Sequence, residues 1–205
     1  MPNHSDNTSP YYVDAGNAAR LHKGGTPTMT TALKIRPETV VVRPATLDDA
    51  AAIAEIYNQG IIARIATFET TLRTAADIEQ TLKNGAGRYP FLVAEIDGTV
   101  LGWASVSSYR PRECYGGIGE FSIYIHEDAR GKGVGKVLLP ALIDAAEQAG
   151  FWKLLSRIFL FNTGSRRLCA VNGFREVGIY EKHAKLDDEW LDVVIVERLI
   201  PSNQT

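Results

Sequence analysis

Apolar positions recur along this chain with two periods, and the changes from one to the other mark its elements. Thr39-Val40-Val41-Val42-Arg43 is a β-branched run stopped by Pro44 and reads as a strand. Thr46-Leu47-Asp48-Asp49 sets a hydroxyl three residues before an acid, the pattern of a helix cap. Behind it Ile53, Ile56, Tyr57 and Ile61 fall on one helical face. Asn58 to Thr71 is expected to be a hinge. Thr74 caps a second helix through about Leu82, and Gly85-Ala86-Gly87 ends it. Phe91–Glu95 and Val100–Val106 read as strands joined by Asp97-Gly98, a dipeptide suited to a two-residue hairpin turn. Gly119–Ile125 predicts a further strand, and Val137–Ala146 an amphipathic helix after it. Lys153–Phe159 has the apolar content of a buried strand. Asn162 to Asn172 predicts a short helix ended at Gly173. Phe174–Tyr180 and Leu191–Leu199 read as a closing antiparallel pair, with Glu181–Trp190 as the connection. The order is strand, two helices, three strands, helix, strand, helix, two strands. That predicts an α/β (α+β) fold with a mixed, largely antiparallel sheet of six to seven strands flanked by helices.

Composition refines this outline. Met1 to about Pro37 is rich in Asn, Ser, Thr, Gly and Pro without an apolar period, so residues 1–37 are expected to be a mobile tail. The domain is expected to span 38–200, with 201–205 a C-terminal tail. Met29 stands close before the first strand and is an alternative start. A length of 205 residues suits one domain plus such a tail, and an apolar content of 45% supports a core. A net charge of −2 offers no general attraction to nucleic acid or an anionic membrane. No apolar run reaches the length of a membrane span. The N-terminus lacks the basic-then-apolar order of a secretory signal. Cys114 and Cys169 read as free thiols, and together these features point to a cytoplasmic protein. His126 and His183 are isolated, so no metal site is expected.

The candidate chemistry begins at Ala129-Arg130-Gly131-Lys132-Gly133-Val134-Gly135, a glycine-rich turn between a strand and a helix. Glycines let a ligand approach the backbone, and the uncovered amides of a first helical turn attract anions. Arg130 and Lys132 add positive charge. Lys136 is followed by Val137, so this is not a mononucleotide-binding loop, and its third glycine comes too soon for a dinucleotide fingerprint. A pyrophosphate is the ligand inferred; a tight turn that binds nothing is the alternative. Just upstream, Glu120, Ser122 and Tyr124 share one strand face, while Phe121, Ile123 and Ile125 share the other, which suits a core. A carboxylate half inside a sheet beside aromatic residues suits a general base. The alternative for Glu120 is a strand acid paired with a nearby arginine.

Arg130-x-x-Gly133-x-Gly135 opening a helix, with Asn162 and Gly173-Phe174 downstream, resembles the GNAT superfamily of acyl-CoA-dependent N-acyltransferases, over roughly Val41 to Leu199. The resemblance implies that the fourth and fifth strands part like a V to admit the pantetheine arm of acetyl-CoA. Arg130, Gly131, Lys132, Gly133, Val134 and Gly135 would hold the pyrophosphate. The backbone of Ile123 and Ile125, with Asn162, would meet pantetheine, and Ser165 would lie near the adenosine.

A narrower resemblance lies in Tyr109–Tyr124. Phosphinothricin and arsinothricin acetyltransferases have a basic residue, a spacer, an arginine, a tyrosine three on and a glutamate five beyond. Arg110, Arg112, Tyr115 and Glu120 fill those places. The resemblance implies that Glu120 deprotonates the substrate amine and that Arg110 and Arg112 hold the anionic end of an amino acid analogue. Guanidinium forks suit carboxylate, phosphinate and arsinate oxygens. Phe68 matches a pocket aromatic of these relatives, with core packing as the alternative. Val193, in Trp190-Leu191-Asp192-Val193, matches a position near the substrate. Ser122 and Tyr124 are candidates for substrate contact or a water chain, or are strand-face filler. Cys169 stands where such enzymes carry a tyrosine or histidine proton donor; a thiol there is a weak donor or a small buried filler. The function implied is acetyl-CoA-dependent N-acetylation of a small anionic amino acid analogue, of the arsinothricin, phosphinothricin or methionine sulfoximine kind, giving resistance by detoxification. A homodimer is implied as well. The rival readings are acetylation of protein N-termini or another amine, and a non-catalytic acyl-CoA sensor.

Overall fold

Val41–Pro44 (β1) opens the sheet in the computed structural model of the chain, which describes residues 35–204. It pairs antiparallel with Phe91–Ile96 (β2), which turns back into Thr99–Ser108 (β3). Asp97 and Gly98 make that turn with φ of 49° and 77°. Two successive positive φ values match the right-handed twist of the flanking strands, so this dipeptide favours the hairpin. Ile118–Ile125 (β4) adds to β3, and Lys153–Phe159 (β5) follows. Arg175–Leu186 (β6) and Glu189–Leu199 (β7) complete the order β1-β2-β3-β4-β5-β7-β6. The β4–β5 contact alone is parallel, so the sheet is mixed and largely antiparallel with seven strands, as expected.

Helices cover both faces. Ala50–Ala63 (α1) and Ala75–Gly85 (α2) lie on one, where Ile53, Ile56 and Ile78 pack with Val93 and Trp103. Val134–Gln148 (α3) lies on the other, and its Leu138, Leu139 and Leu142 pack with Phe121, Leu154 and Val196. Thr163–Val171 (α4) is short and seals the same cluster through Cys169. The alternation along β4 sorts as its sequence implies: Phe121, Ile123 and Ile125 face α3.

An ion cluster ties β1 to the start of α1. Arg43 donates from Nη1 and Nη2 to the two Asp49 oxygens at 2.8 Å each, and from Nε to Glu95 at 2.9 Å. Asp49 also accepts from the Thr46 amide at 2.7 Å and hydroxyl at 3.1 Å, closing the capping box that the spacing predicts. The Arg43 hydrogen bonds, ahead of those from Thr46, hold the Asp49 carboxyl below the usual aspartate range.

Two expectations need correction. Helix α1 runs on to Ala63, so the hinge starts at Arg64, in left-handed conformation, and not at Asn58. The helix continues because Gly60 lets it cross the Tyr124 ring: a Cβ there would lie 3.0 Å from Tyr124 Cε1. Glu181–Trp190 is not a simple connection. β6 extends to Leu186, β7 begins at Glu189, and Asp187-Asp188 turn between them at φ 48° and 69°. The second half of β6, from Glu181, is largely exposed and has no apolar alternation; pairing with β7 makes it a strand. At the ends, Ile35 packs on the main cluster, and Pro37–Thr39 form a 3-10 turn. Residues 1–34 of the expected tail, Met29 included, lie outside the described residues. Asn203, within the expected C-terminal tail, donates to the Glu147 and Phe151 carbonyls at 2.7 and 2.9 Å. Among the described residues no helix is long and apolar enough to cross a membrane.

Candidate active site

β4 and β5 pair over three residues only, Ile118 with Lys153, Gly119 with Leu154 and Glu120 with Leu155, and then part. The His126 amide points toward β3, donating to Leu101 at 2.8 Å. Backbone groups alternate along a strand, so those of Phe121, Ile123 and Ile125 point the other way, into the gap. The Ile125 carbonyl there accepts Arg130 Nε at 3.1 Å. The open edge of β4 is thus an extended row of donors and acceptors suited to an amide-bearing chain.

At the end of this edge the chain makes a 3-10 turn, Glu127–Ala129, and reaches the glycines. Gly131 and Gly133 have φ of 73° and 92°, and Gly133 sits at the N-cap of α3. The amides of Gly131, Gly133, Val134 and Gly135 donate to no carbonyl among the described residues. They form an anion cradle at a helix N-terminus, rimmed by the exposed Arg130 and Lys132. Packing also requires these glycines. A Cβ on Gly133 would lie 2.6 Å from Pro37 Cγ, and one on Gly135 3.0 Å from Leu168 Cδ2.

On the face opposite α3, Glu120, Ser122 and Tyr124 stand across from Ser107, Ser105 and Trp103 of β3. Tyr124 belongs to an aromatic stack. Its ring lies 4.7 Å from Trp103 and 4.8 Å, edge-on, from Tyr57, and its hydroxyl donates to the Ala66 carbonyl at 3.3 Å. Burial pushes that hydroxyl above the usual tyrosine range. This is packing, the alternative weighed from sequence. Glu120 lies at the last paired position, where the strands begin to part. Its Oε1 accepts Arg157 Nε at 3.0 Å, and Arg157 Nη2 donates to the same oxygen. The apolar surroundings expected for this carboxylate are therefore replaced on one side by a guanidinium, the arginine pairing weighed as the alternative from sequence. Arg157 was not singled out from the sequence. Its one signal is an arginine inside the otherwise buried run Leu154-Leu155-Ser156-Arg157-Ile158-Phe159.

The loop between β3 and β4 carries Arg110, Arg112 and Tyr115 to the end of the sheet where Glu120 sits. Its flanks, Ser108 and Gly119, are paired beside Ser107 and Glu120. The Gly117 carbonyl accepts the Trp152 amide at 2.8 Å and anchors the loop. The Arg110 guanidinium lies 5.0 Å from the centre of the Tyr109 ring, which meets Tyr115 edge-on at 5.8 Å. Arg110 and Arg112 are exposed and make no ion pair among the described residues.

The remaining candidates lie on the elements next to β5 and at the end of β4. Phe68 meets Phe159 edge-on at 4.8 Å, and Val193, 1% exposed, packs beneath with Leu186. Asn162 caps α4: its Oδ1 accepts the Ser165 amide and its Nδ2 donates to Ile65, both at 3.1 Å. Cys169 is 1% exposed in the main core, and desolvation pushes its thiol up to about 12. That environment fits the filler reading and not a proton donor. A groove of about 780 Å³ lined by Leu47, Leu82, Tyr89, Phe91 and Ser108 does not include Glu120.

A parallel strand pair that splays beside a carboxylate, with bare helix-leading amides at the strand's end, is suited to hold an extended amide-bearing chain that ends in an anionic group. Comparison with known proteins gives the family. Residues 42–195 match the acetyltransferase (GNAT) domain. The phosphinothricin N-acetyltransferase of Alcaligenes faecalis is 35% identical over 171 residues, covering 80% of this chain and 84% of that one. The L-methionine sulfoximine/L-methionine sulfone acetyltransferase of Pseudomonas aeruginosa is 33% identical over 158 residues, 76% of this chain and 92% of its own. The crystal structure of a GNAT superfamily phosphinothricin acetyltransferase from Sinorhizobium meliloti, in complex with acetyl-CoA, superposes with a TM-score of 0.75 at 32% identity, covering 79% and 89% of the two chains. The chain belongs to the GNAT family and is an acetyl-CoA-dependent N-acetyltransferase.

Proposed function

We propose that this enzyme acetylates the α-amino group of a small anionic amino acid analogue, of the phosphinothricin, arsinothricin or methionine sulfoximine kind, and so detoxifies it in the cytoplasm. The observation that carries this reading is that Glu120, at the apex of the splayed strands, shares an end of the sheet with the loop bearing Arg110 and Arg112. The names of the relatives, which record phosphinothricin and methionine sulfoximine, support the substrate class.

Acetyl-CoA, as co-substrate, lays its pantetheine along Ile123 and Ile125 and its pyrophosphate on the Arg130–Gly135 turn. Asn162 and Ser165 lie on the pantetheine and adenosine side. Glu120 takes a proton from the substrate ammonium, directly or through one water. The freed amine attacks the thioester carbonyl, a backbone amide of β4 stabilises the oxyanion, and as the C–S bond breaks the nitrogen gives up its second proton to the departing thiolate or to solvent. Cys169 is too buried to protonate the leaving thiolate, so the thiolate departs as such or takes a proton from the nitrogen or from water. The enzyme acts as a homodimer, which light scattering in solution tests.

A coupled assay for CoA release tests the substrate class. Turnover is expected with phosphinothricin, arsinothricin or methionine sulfoximine, and far less with a polyamine or an N-terminal peptide. Polyamines would want acids where Arg110 and Arg112 stand. Absence of CoA release from every amine would leave the non-catalytic sensor. Arg110→Ala and Arg112→Ala are each expected to raise the KM for the anionic substrate by roughly tenfold, the worth of one charged hydrogen bond. An unaltered KM in both variants, for every anionic substrate, sinks the pocket assignment.

A further inference from the structure

We infer that Arg157 is a specificity-determining residue: it releases Glu120 to take the α-carboxylate of the substrate while Glu120 takes the α-ammonium. The inference rests on the proposed substrate class and adds what that class left open, namely which residue reads the group beside the reacting nitrogen.

Arg157 lies on β5 two residues beyond Leu155, the last residue paired with β4, so its side chain crosses the mouth of the V to reach Glu120. Both of its donated bonds end on one oxygen, Oε1. Glu120 Oε2 and Arg157 Nη1 have no partner among the described residues. This is not the parallel two-oxygen fork of a strong arginine–carboxylate pair. Arg157 is 48% exposed and Glu120 21%, so opening the pair leaves ions that water can reach and costs little. The stem is held more firmly than the head. Leu155 and Phe159, on the same strand face, are buried, and Ile195 is the cross-strand neighbour on β7.

An α-amino acid carries its ammonium and carboxylate on one carbon, so its two ions are neighbours, as Glu120 and Arg157 are. Exchanging one internal pair for two substrate pairs keeps every charge opposed. Arg110 and Arg112, on the preceding loop, are then left for the distal oxygens of the analogue, the phosphinate or arsinate anion or the sulfoximine oxygen. The exchange also favours release. Transfer forms the C–N bond and breaks the C–S bond; of the two protons the ammonium loses, one stays on Glu120 and the other goes to the departing thiolate or to solvent. The neutral amide product no longer opposes a carboxylate, and once Glu120 gives its proton to solvent or to the thiolate, its pair with Arg157 re-forms.

The test compares an α-amino acid substrate, phosphinothricin or methionine sulfoximine, with its decarboxylated amine, in wild type, Arg157→Gln and Arg157→Lys. The wild type is expected to prefer the amino acid. In Arg157→Gln that preference, as a ratio of kcat/KM values, is expected to fall by roughly 10- to 100-fold, chiefly through the KM of the amino acid. Arg157→Lys restores part of it, since a point charge replaces the fork. An unchanged KM for acetyl-CoA and an unchanged Tm report an intact fold. If the amino acid and the amine lose equally in Arg157→Gln, the arginine only positions Glu120 and the inference is overturned. A wild type that turns over the amino acid but loses no preference in Arg157→Gln overturns this inference alone. A wild type without turnover on any α-amino acid overturns the proposed substrate class with it.

Discussion

Replacing Glu120 by Gln is expected to lower kcat by about two to four orders of magnitude, the usual weight of a positioned general base, while acetyl-CoA binds as before. Gln keeps the shape of the side chain, and its carbonyl oxygen still accepts from Arg157. What it lacks is a group able to take the proton of an ammonium. The proposed co-substrate site is separate in its physics, built from the unpaired edge of β4 and the amides of Gly131, Gly133, Val134 and Gly135. Calorimetric titration with acetyl-CoA should therefore give nearly the wild-type Kd, and steady-state assays the large loss. A variant whose kcat stays within a few-fold of wild type would remove Glu120 from the mechanism. A variant that also loses acetyl-CoA would show that the carboxylate shapes the carrier site.

The largest expected effect on stability belongs to Asp49. Its side chain is 7% exposed, takes two bonds from Arg43 and two from Thr46, and joins β1 to the first helix. Removing one member of such a pair leaves a partly buried charge without its partner, which costs about 3–5 kcal/mol in well-buried cases. Arg43 keeps Glu95 and is 34% exposed, so Asp49→Ala is expected to cost less, about 2–4 kcal/mol. Urea unfolding measures it, and a loss under about 0.5 kcal/mol, the scale of an ordinary surface substitution, would refute the role. The same contact predicts a pH dependence. Arg43 lowers the carboxyl pKa in the folded state only, so the stabilisation is complete above the unfolded value of about 4 and declines as pH falls from there through the lower folded value. Asp49→Asn should flatten that acid limb. Glu197, lowered by Lys153 and then Arg175, adds to the same limb and remains in the variant.

The two cases differ in how far apart their partners lie. Thr46 and Asp49 are three residues apart, so the capping box was readable as a local pattern. The Asp97-Gly98 turn and the glycine-rich turn were readable for the same reason, because positive φ is a property of single residues. The alternation along β4 placed Phe121 in the core and Glu120 on the opposite face. Glu120 and Arg157, by contrast, are 37 residues apart, on strands that touch for three positions before they diverge. No period in either strand points to the other. Asn162 meets Ile65 across 97 residues, and Tyr124 is closed over by Gly60 and Tyr57, 64 and 67 residues before it in the chain. The second half of β6, from Glu181, left no apolar pattern because its stabilising groups are backbone hydrogen bonds to β7, which every residue carries alike.

The amino acid order alone was enough for the element order, the strand–turn–helix that presents bare amides, and the face of β4 on which Glu120 stands. Each of these depends on dihedral preference, side-chain period or short spacing, which act within a few residues. Only the folded chain decided that Glu120 meets a guanidinium, that Tyr124 and Val193 are packed away, and that Cys169 is sealed in the core. Those outcomes depend on which distant surfaces exclude water from one another, and that is a property of the assembled sheet and helices.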